Sequence, residues 1–276
     1  MGTINYTADQ QLLVTARGHP YERDAFAGLF DPLEDFSWSL VEQPTASLLF
    51  TPAMRDQFAA CVCYDMPGID FGAADAPAPV APSPEYQQGV MALLEAGMGF
   101  VFMHHHIAAW PAWEEYAEVV GGRFHYRPAD LRGRHWPDSG YHHQVAHEIS
   151  VVNQHPVTAG LPATFTMTDE LYLCPMFDDS VIPLLTSNYQ FTDDNFYSAS
   201  QAVAGTMFSR EGWSHPPGTN LVGWVKHYRN SPIVYLQGGD DPAAYADENY
   251  QRLLHNAIRW VASPEAHAWA RAQNKN

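Results

Sequence analysis

Three consecutive histidines, His104, His105 and His106, follow the apolar run FVFM and precede a tract with two tryptophans, FVFMHHHIAAWPAW over residues 100–113. An imidazole titrates near neutral pH, so each is a candidate general acid or base or, as the neutral ring, a metal ligand. Consecutive residues do not share a helical face, and ligating histidines on a helix are spaced i, i+4. Three ligands from this run would be poor geometry. At a turn from strand to helix, one ring can project into a cleft while a second supports it.

Other polar groups also follow apolar runs: Arg17-Gly18-His19, Tyr64-Asp65, and Gly238-Gly239-Asp240-Asp241. In open parallel sheets, ligands bind at the carboxyl ends of strands, so these segments are expected to share one edge with the histidines. Asp169-Glu170-Leu171-Tyr172 supplies adjacent carboxylates. Neighbours in a strand face opposite ways, so the two should differ in role, with Glu170 orienting a histidine or acting as a base. The cluster His142, His143, His147, Glu148 fits neither H-E-x-x-H nor a His/Cys zinc pattern, and reads as a polar loop ahead of a strand. Trp113 and Tyr116, after Trp110, lie three apart on one helical face, suited to a sugar's C–H face or to packing on a sheet.

The elements that must position these groups alternate. Strands are expected at 11–16, 36–43, 59–64 and 99–103, and helices near 23–30, 85–96 and 113–120. Further strands follow at 146–152, 164–173, 181–186, 219–228 and 231–239. A closing helix over 248–261 carries Tyr250, Leu253, Leu254, Ile258 and Val261 at helical spacing. Strand–helix alternation signals a parallel α/β sheet covered on both faces. AADAPAPVAPSP, residues 73–84, reads as a Pro/Ala-rich surface loop within one domain spanning 1–276, with its core at about 11–262.

The chain has 276 residues, 46% of them hydrophobic, enough for a sizeable core. Fourteen Lys and Arg against 31 Asp and Glu give a net charge of −17, which argues against nucleic acid and anionic membranes as partners. The first residues, MGTINYTADQQLLV, lack a basic stretch followed by a long apolar one, so no signal peptide is expected. Cys61, Cys63 and Cys174 are read as reduced, buried thiols, making the cytoplasm the default compartment. GxGxxG after the first strand, GxxxxGK[ST] and GxSxG are all missing, which removes the usual dinucleotide, P-loop and serine-hydrolase signals.

The ordered set GMGFVFMHHHIAAWPAWEEYAEVVGGRFHY, HPVTAGLPATFTMTDELY and VGWVKHYRNSPIVYLQGGDDPAAYADENYQRLLHNAIRWVA resembles the ThuA-like, trehalose-utilisation family. The resemblance implies a flavodoxin-like, class I glutamine amidotransferase-like three-layer sandwich with a mostly parallel central sheet. His104 stands where amidotransferases carry their nucleophilic cysteine, and none of the three cysteines falls there, so no glutaminase activity is expected. The resemblance further implies an enzyme of sugar metabolism acting on a keto-sugar or glycoside, beside an oxidoreductase that makes 3-keto sugars. In that role His104, His105 and Glu170 would be catalytic. His19, Asp65, His106, Trp110, Tyr172 and Asp240 would bind the substrate, with Trp110 and Tyr172 as walls. Some relatives are thought to hold zinc through strand-end histidines. Here Gly239 stands where the family often has histidine, and Asp65, His19 or Asp240 are the candidate substitutes for a zinc or other divalent ion. The alternatives are a non-catalytic carbohydrate-binding or accessory protein and a metal-dependent hydrolase. A homo-oligomer is compatible with all three.

Overall fold

The computed structural model describes residues 5–274. Its main sheet has the order Thr164–Leu173, Gly140–Val151, Ile182–Ser187, Leu221–Tyr228, Ser231–Leu236, Gly99–Met103, Ala60–Cys63, Gln10–Ala16, Phe36–Glu42, and the short strand Tyr197–Ser198 pairs with Gly140–Val151. The last five strands in that order run parallel. The first four extend them as an antiparallel wing.

Alternation along the parallel strands builds two cores. Leu12, Val14, Val62, Val101, Met103, Val234 and Leu236 face one side, while Leu13, Cys61, Cys63, Phe100, Phe102, Ile233 and Tyr235 face the other. Near-continuous apolar runs are what a strand buried on both faces requires. Each such side chain contributes roughly 1.5–3 kcal/mol on burial. Helix Glu248–Ala262 covers the first face with Tyr250, Leu253, Leu254 and Ile258. Helix Pro84–Ala96 covers the second with Tyr86, Val90, Leu93 and Leu94. This is the three-layer α/β arrangement.

Local chemistry sets the helix ends. Ser83 accepts from the Tyr86 N–H, Pro84 occupies the first turn, and Gly97 closes the helix at φ 84°. The Asp247 carboxylate caps the closing helix by accepting from Asn249 and Tyr250. Ser263 ends that helix and caps a further one, Pro264–Gln273, which the sequence reading did not anticipate.

The strand expected at 146–152 starts at Gly140, so the histidine cluster expected as a polar loop ahead of it is itself strand. Gly140–Val151 pairs with Thr164–Leu173 along nearly its whole length, with a bulge where His143 and Gln144 oppose Glu170. The tract at 73–84 includes Ala78–Pro79, which pairs with Ile69–Asp70. All three cysteines are buried and free, with Cys61 and Cys63 sulfurs 3.6 Å apart. Among the described residues, no helix is long and apolar enough to cross a membrane.

Candidate functional site

The carboxyl ends of the parallel strands do share an edge. Leu236 pairs with Met103, and Cys63 with Phe102 and Thr15. The segments after these strands therefore emerge side by side: Gln237 to Asp240, His104, Tyr64-Asp65, and Arg17 to His19. His104 takes φ 46° as the strand Gly99–Met103 breaks into a 3-10 turn over His104–Ala108. A left-handed non-glycine residue is costly and clusters at functional sites. The Tyr235 hydroxyl holds the His104 carbonyl at 2.9 Å.

The antiparallel wing returns to this edge. The Tyr172 backbone N–H donates to Gln237 Oε1 at 3.1 Å. Asp169 accepts from the backbone N–H groups of Gly239, Asp240 and Glu170 at 2.6, 3.1 and 2.8 Å. Burial pushes the Asp169 carboxyl up to about 7 against the pull of His104 and these donors. Asp169 thus ties the bulged strand to the Gly238–Asp240 loop, while its neighbour Glu170 points the other way. The two carboxylates differ in role, as their adjacency predicts.

The convergence centres on His104. Its Nδ1–H donates to the Gln237 carbonyl at 2.7 Å, which aims Nε2 at the cluster. Its Nε2 lies 2.7 Å from the Tyr172 hydroxyl, 3.1 Å from Glu170 Oε2 and 3.3 Å from Asp240 Oδ1. Burial alone would lower this imidazole's pKa, but hydrogen bonds to Asp240 and Glu170 raise it well above the ordinary value. Desolvation pushes Asp240 up, and His104 and His143 outweigh it to hold the carboxyl far below its usual range. His143 Nδ1 lies 3.2 Å from Glu170 Oε1 and 3.6 Å from Asp240 Oδ2, and the bond to Asp240 raises its pKa.

His143 is the site residue that the sequence reading passed over. A β-bulge re-aims a side chain, and here it turns the imidazole towards Glu170. The signal was in the sequence: extending the alternation of AHEISVV backwards would have placed Tyr141 and His143 on the strand.

A cleft of about 290 Å³ opens above the cluster, lined by His19, His143, Glu170 and Tyr172 together with Phe71, Phe124, Tyr126, Tyr141 and Met207. His104 is fully buried and meets the cleft through Glu170 and Tyr172. His19 stacks on His105 at 4.7 Å between centroids, and burial lowers the His19 pKa. His105 lies behind it. Its Nε2–H donates to the Tyr64 carbonyl at 2.5 Å, and burial holds the ring neutral.

Three expected substrate contacts sit elsewhere. Asp65 is buried and accepts from Thr15 and Gln43 at 2.7 and 2.5 Å. His106 has both ring nitrogens engaged, by the Asp65 carbonyl at 2.7 Å and the Tyr116 hydroxyl at 2.8 Å. Trp110 turns at φ 52° and donates to the Tyr86 hydroxyl at 3.2 Å inside the helix-side core. Asp65 and His106 form a buried polar network that braces the strand ends. Phe71, Phe124, Tyr126 and Tyr141 take the wall positions expected for Trp110.

His104 Nε2 and one oxygen each of Glu170 and Asp240 lie within 4.8 Å of one another. With His143 beside both carboxylates, this nitrogen-and-oxygen set fits a divalent cation such as zinc. A second cluster, Cys63, Asp65 and His106, is equally close. It is buried away from the cleft, and both carboxylate oxygens of Asp65 already accept from Thr15 and Gln43. Gly239, at the position where the resemblance led a histidine to be expected, has no room for one. It adopts φ 112°, and a Cβ there would run into the Tyr250 hydroxyl.

The three-layer α/β arrangement is that of class I glutamine amidotransferase-like folds. A glutamine amidotransferase from Thermotoga maritima matches over 92% of this chain and 98% of its own at TM-score 0.51 and 10% identity. Nearer in fold are ThuA-like proteins from Parabacteroides merdae (TM-score 0.62, 16% identity, 93% of this chain and 91% of that one) and Bacteroides uniformis (TM-score 0.61, 17% identity, 94% of each). The ThuA family model, trehalose utilisation, matches residues 77–261. The chain belongs to that family. No curated protein sequence matches it.

Proposed function

We propose that the protein acts on a sugar bearing a carbonyl group and moves a proton at the carbon next to that carbonyl. The observation that carries this reading is one carboxylate, Glu170, held between two imidazoles at 3.1 and 3.2 Å at the floor of a cleft. Removing a proton beside a carbonyl leaves negative charge on oxygen, so the site needs a base and hydrogen-bond donors together. Glu170 is the base. His143, with its raised pKa and its place in the cleft lining, is the acid. Tyr172 accepts from His104 and points its own hydroxyl proton at the substrate oxygen. His104 and Asp240 act from behind as positioning groups. The family's association with trehalose utilisation supports a sugar as substrate and a sugar oxidoreductase as the source of the ketone. The test is incubation of purified protein with 3-keto-glucosides, followed by NMR. Conversion is expected; binding without product would support the accessory role instead.

The donor set favours a second reading, in which a divalent cation is bound by His104, Asp240, Glu170 and His143. The Nδ1–H bond from His104 to the Gln237 carbonyl is the outer contact a ligating histidine makes. Such an ion would polarise a carbonyl or hydroxyl oxygen. Elemental analysis tests this, together with zinc titration followed by melting temperature. A rise in the native protein that is absent in Asp240→Asn supports it; no metal and no rise overturn it.

A further inference from the structure

Apart from its floor, the cleft is apolar. Among its described lining residues there is no Lys, Arg, Asn or Gln, and the polar side chains are His19, His143, Glu170 and the tyrosines. A pocket that enclosed a disaccharide would need side-chain partners for the hydroxyls of both rings, since a buried polar group without one is costly. A phosphorylated sugar would need cations, and the lining offers neither Lys nor Arg. The hydrogen-bonding groups are enough for one ring, and Glu170 and Tyr172 among them are buried at the floor.

The outer end is built from large apolar groups left in water. Phe71 is 42% exposed, Met207 49% and Phe208 55%, although most other aromatic rings of the chain are covered. Phe71 meets Tyr126 edge-on at 5.4 Å, and Tyr126 meets Phe124 at 5.1 Å. Across the sequence, Met207 and Phe208 sit on the loop after helix Ala199–Val203. Phe208 takes φ 58°, an unfavourable conformation for an aromatic residue, and its N–H donates to the Tyr141 hydroxyl at 2.9 Å. Its ring lies 6.1 Å from that of His143 and 6.2 Å from that of Tyr141. A strained backbone that holds an exposed ring beside His143, next to the lining residue Met207, points to a function at this side of the cleft.

We infer that the substrate is a neutral glycoside with an aromatic aglycone: the sugar ring sits over Glu170, His143 and Tyr172, and the aglycone stacks among the lining residues Phe71, Tyr126 and Met207. This rests on the proposed keto-sugar chemistry for the reaction, but the aglycone subsite stands on the lining alone. In the combined reaction, Glu170 takes the proton on the carbon between the ketone and the anomeric carbon. The C–H electron pair becomes a carbon–carbon double bond as the anomeric C–O bond breaks. The departing oxygen takes the proton from His143 and leaves as a phenol. The ketone is made beforehand by the partner oxidoreductase, so no oxidant is consumed here.

Calorimetry with the full chain tests the subsite without turnover. The probes are 4-nitrophenyl glucoside, glucose and trehalose. The aryl glucoside is expected to bind at least about tenfold tighter than either sugar. The exposed positions allow Phe71→Ala and Met207→Ala with the fold intact, and each should reduce that preference severalfold. Equal affinity for the three probes, or a preference untouched by both substitutions, overturns the inference. NMR with the 3-keto derivative of the aryl glucoside then separates the two ideas. Selective binding without conversion leaves the subsite standing and removes the keto-sugar reaction; conversion of keto-trehalose as fast as the aryl substrate removes the subsite.

Discussion

Glu170 Oε2 lies 3.1 Å from His104 Nε2, and its other oxygen lies 3.2 Å from His143 Nδ1. One carboxylate thus bridges a histidine at the end of a parallel strand and a histidine on the antiparallel wing. The bridge depends on the bulge that sets His143 and Gln144 against Glu170. It makes the wing part of the site rather than an appendage to the sheet.

His143→Gln is expected to lower kcat by about 10²-fold, the scale of a lost general acid. The side chain is 29% exposed, so melting temperature should change little. Steady-state kinetics with a thermal melt checks both halves. A large loss of stability with unchanged kcat would make His143 a structural residue.

Asp169→Asn keeps the shape but replaces one acceptor oxygen with an N–H group. An N–H of the Gly238–Asp240 loop then faces a donor, at a cost of about 1–3 kcal/mol. Because that loop carries Asp240, activity should fall together with stability. Urea unfolding beside turnover measures the pair.

Restoring the family histidine with Gly239→His should not restore a ligand. The left-handed φ at this position costs about 1–3 kcal/mol for a side-chain-bearing residue. The new Cβ would also displace Tyr250, whose hydroxyl donates to the Gly238 carbonyl at 2.8 Å. The variant should melt well below the native protein and gain no metal affinity.

Acid should unfold the protein early. Burial lowers His125 to about 3 and His147 to about 4, and also lowers His155, His215, His255 and His267. These rings stay neutral in the fold and take up protons only when unfolded, so their contribution is complete above about 6.5 and is lost as pH falls below it. Each proton so withheld steepens the slope by about 1.4 kcal/mol per pH unit. Asp169, raised to about 7, opposes them in part between its unfolded value and neutrality. Melting temperature should therefore fall between pH 6.5 and 4, and fall less steeply in His147→Gln.

Much of the fold could be read from the sequence, because buried parallel strands announce themselves as apolar runs of four to eight residues ended by polar groups. GFVFM before His104 and SPIVYL before Gln237 are such runs, and their pairing brings the strand-end groups together. Glu170 was legible as a carboxylate beside imidazoles. His143 was legible as a strand residue but not as a site residue, because the bulge that turns it towards Glu170 depends on the partner strand's register. Trp110 and His106 were misplaced for a related reason: a single turn at φ 52° sends Trp110 into the helix-side core, and Asp65 draws His106 away from the cleft. Phe71 and Met207 lie in segments without helical or strand periodicity, where pattern carries no information about what they face.

The most direct measurement is solvent deuterium exchange at the carbon beside the ketone of a 3-keto-glucoside, followed by NMR in the native protein and in Glu170→Gln. The account predicts incorporation of deuterium at that carbon, or loss of its C–H signal as product forms, in the native protein, and a rate at least about 10²-fold lower in the variant. No exchange in the native protein, or equal rates in the two, would contradict it.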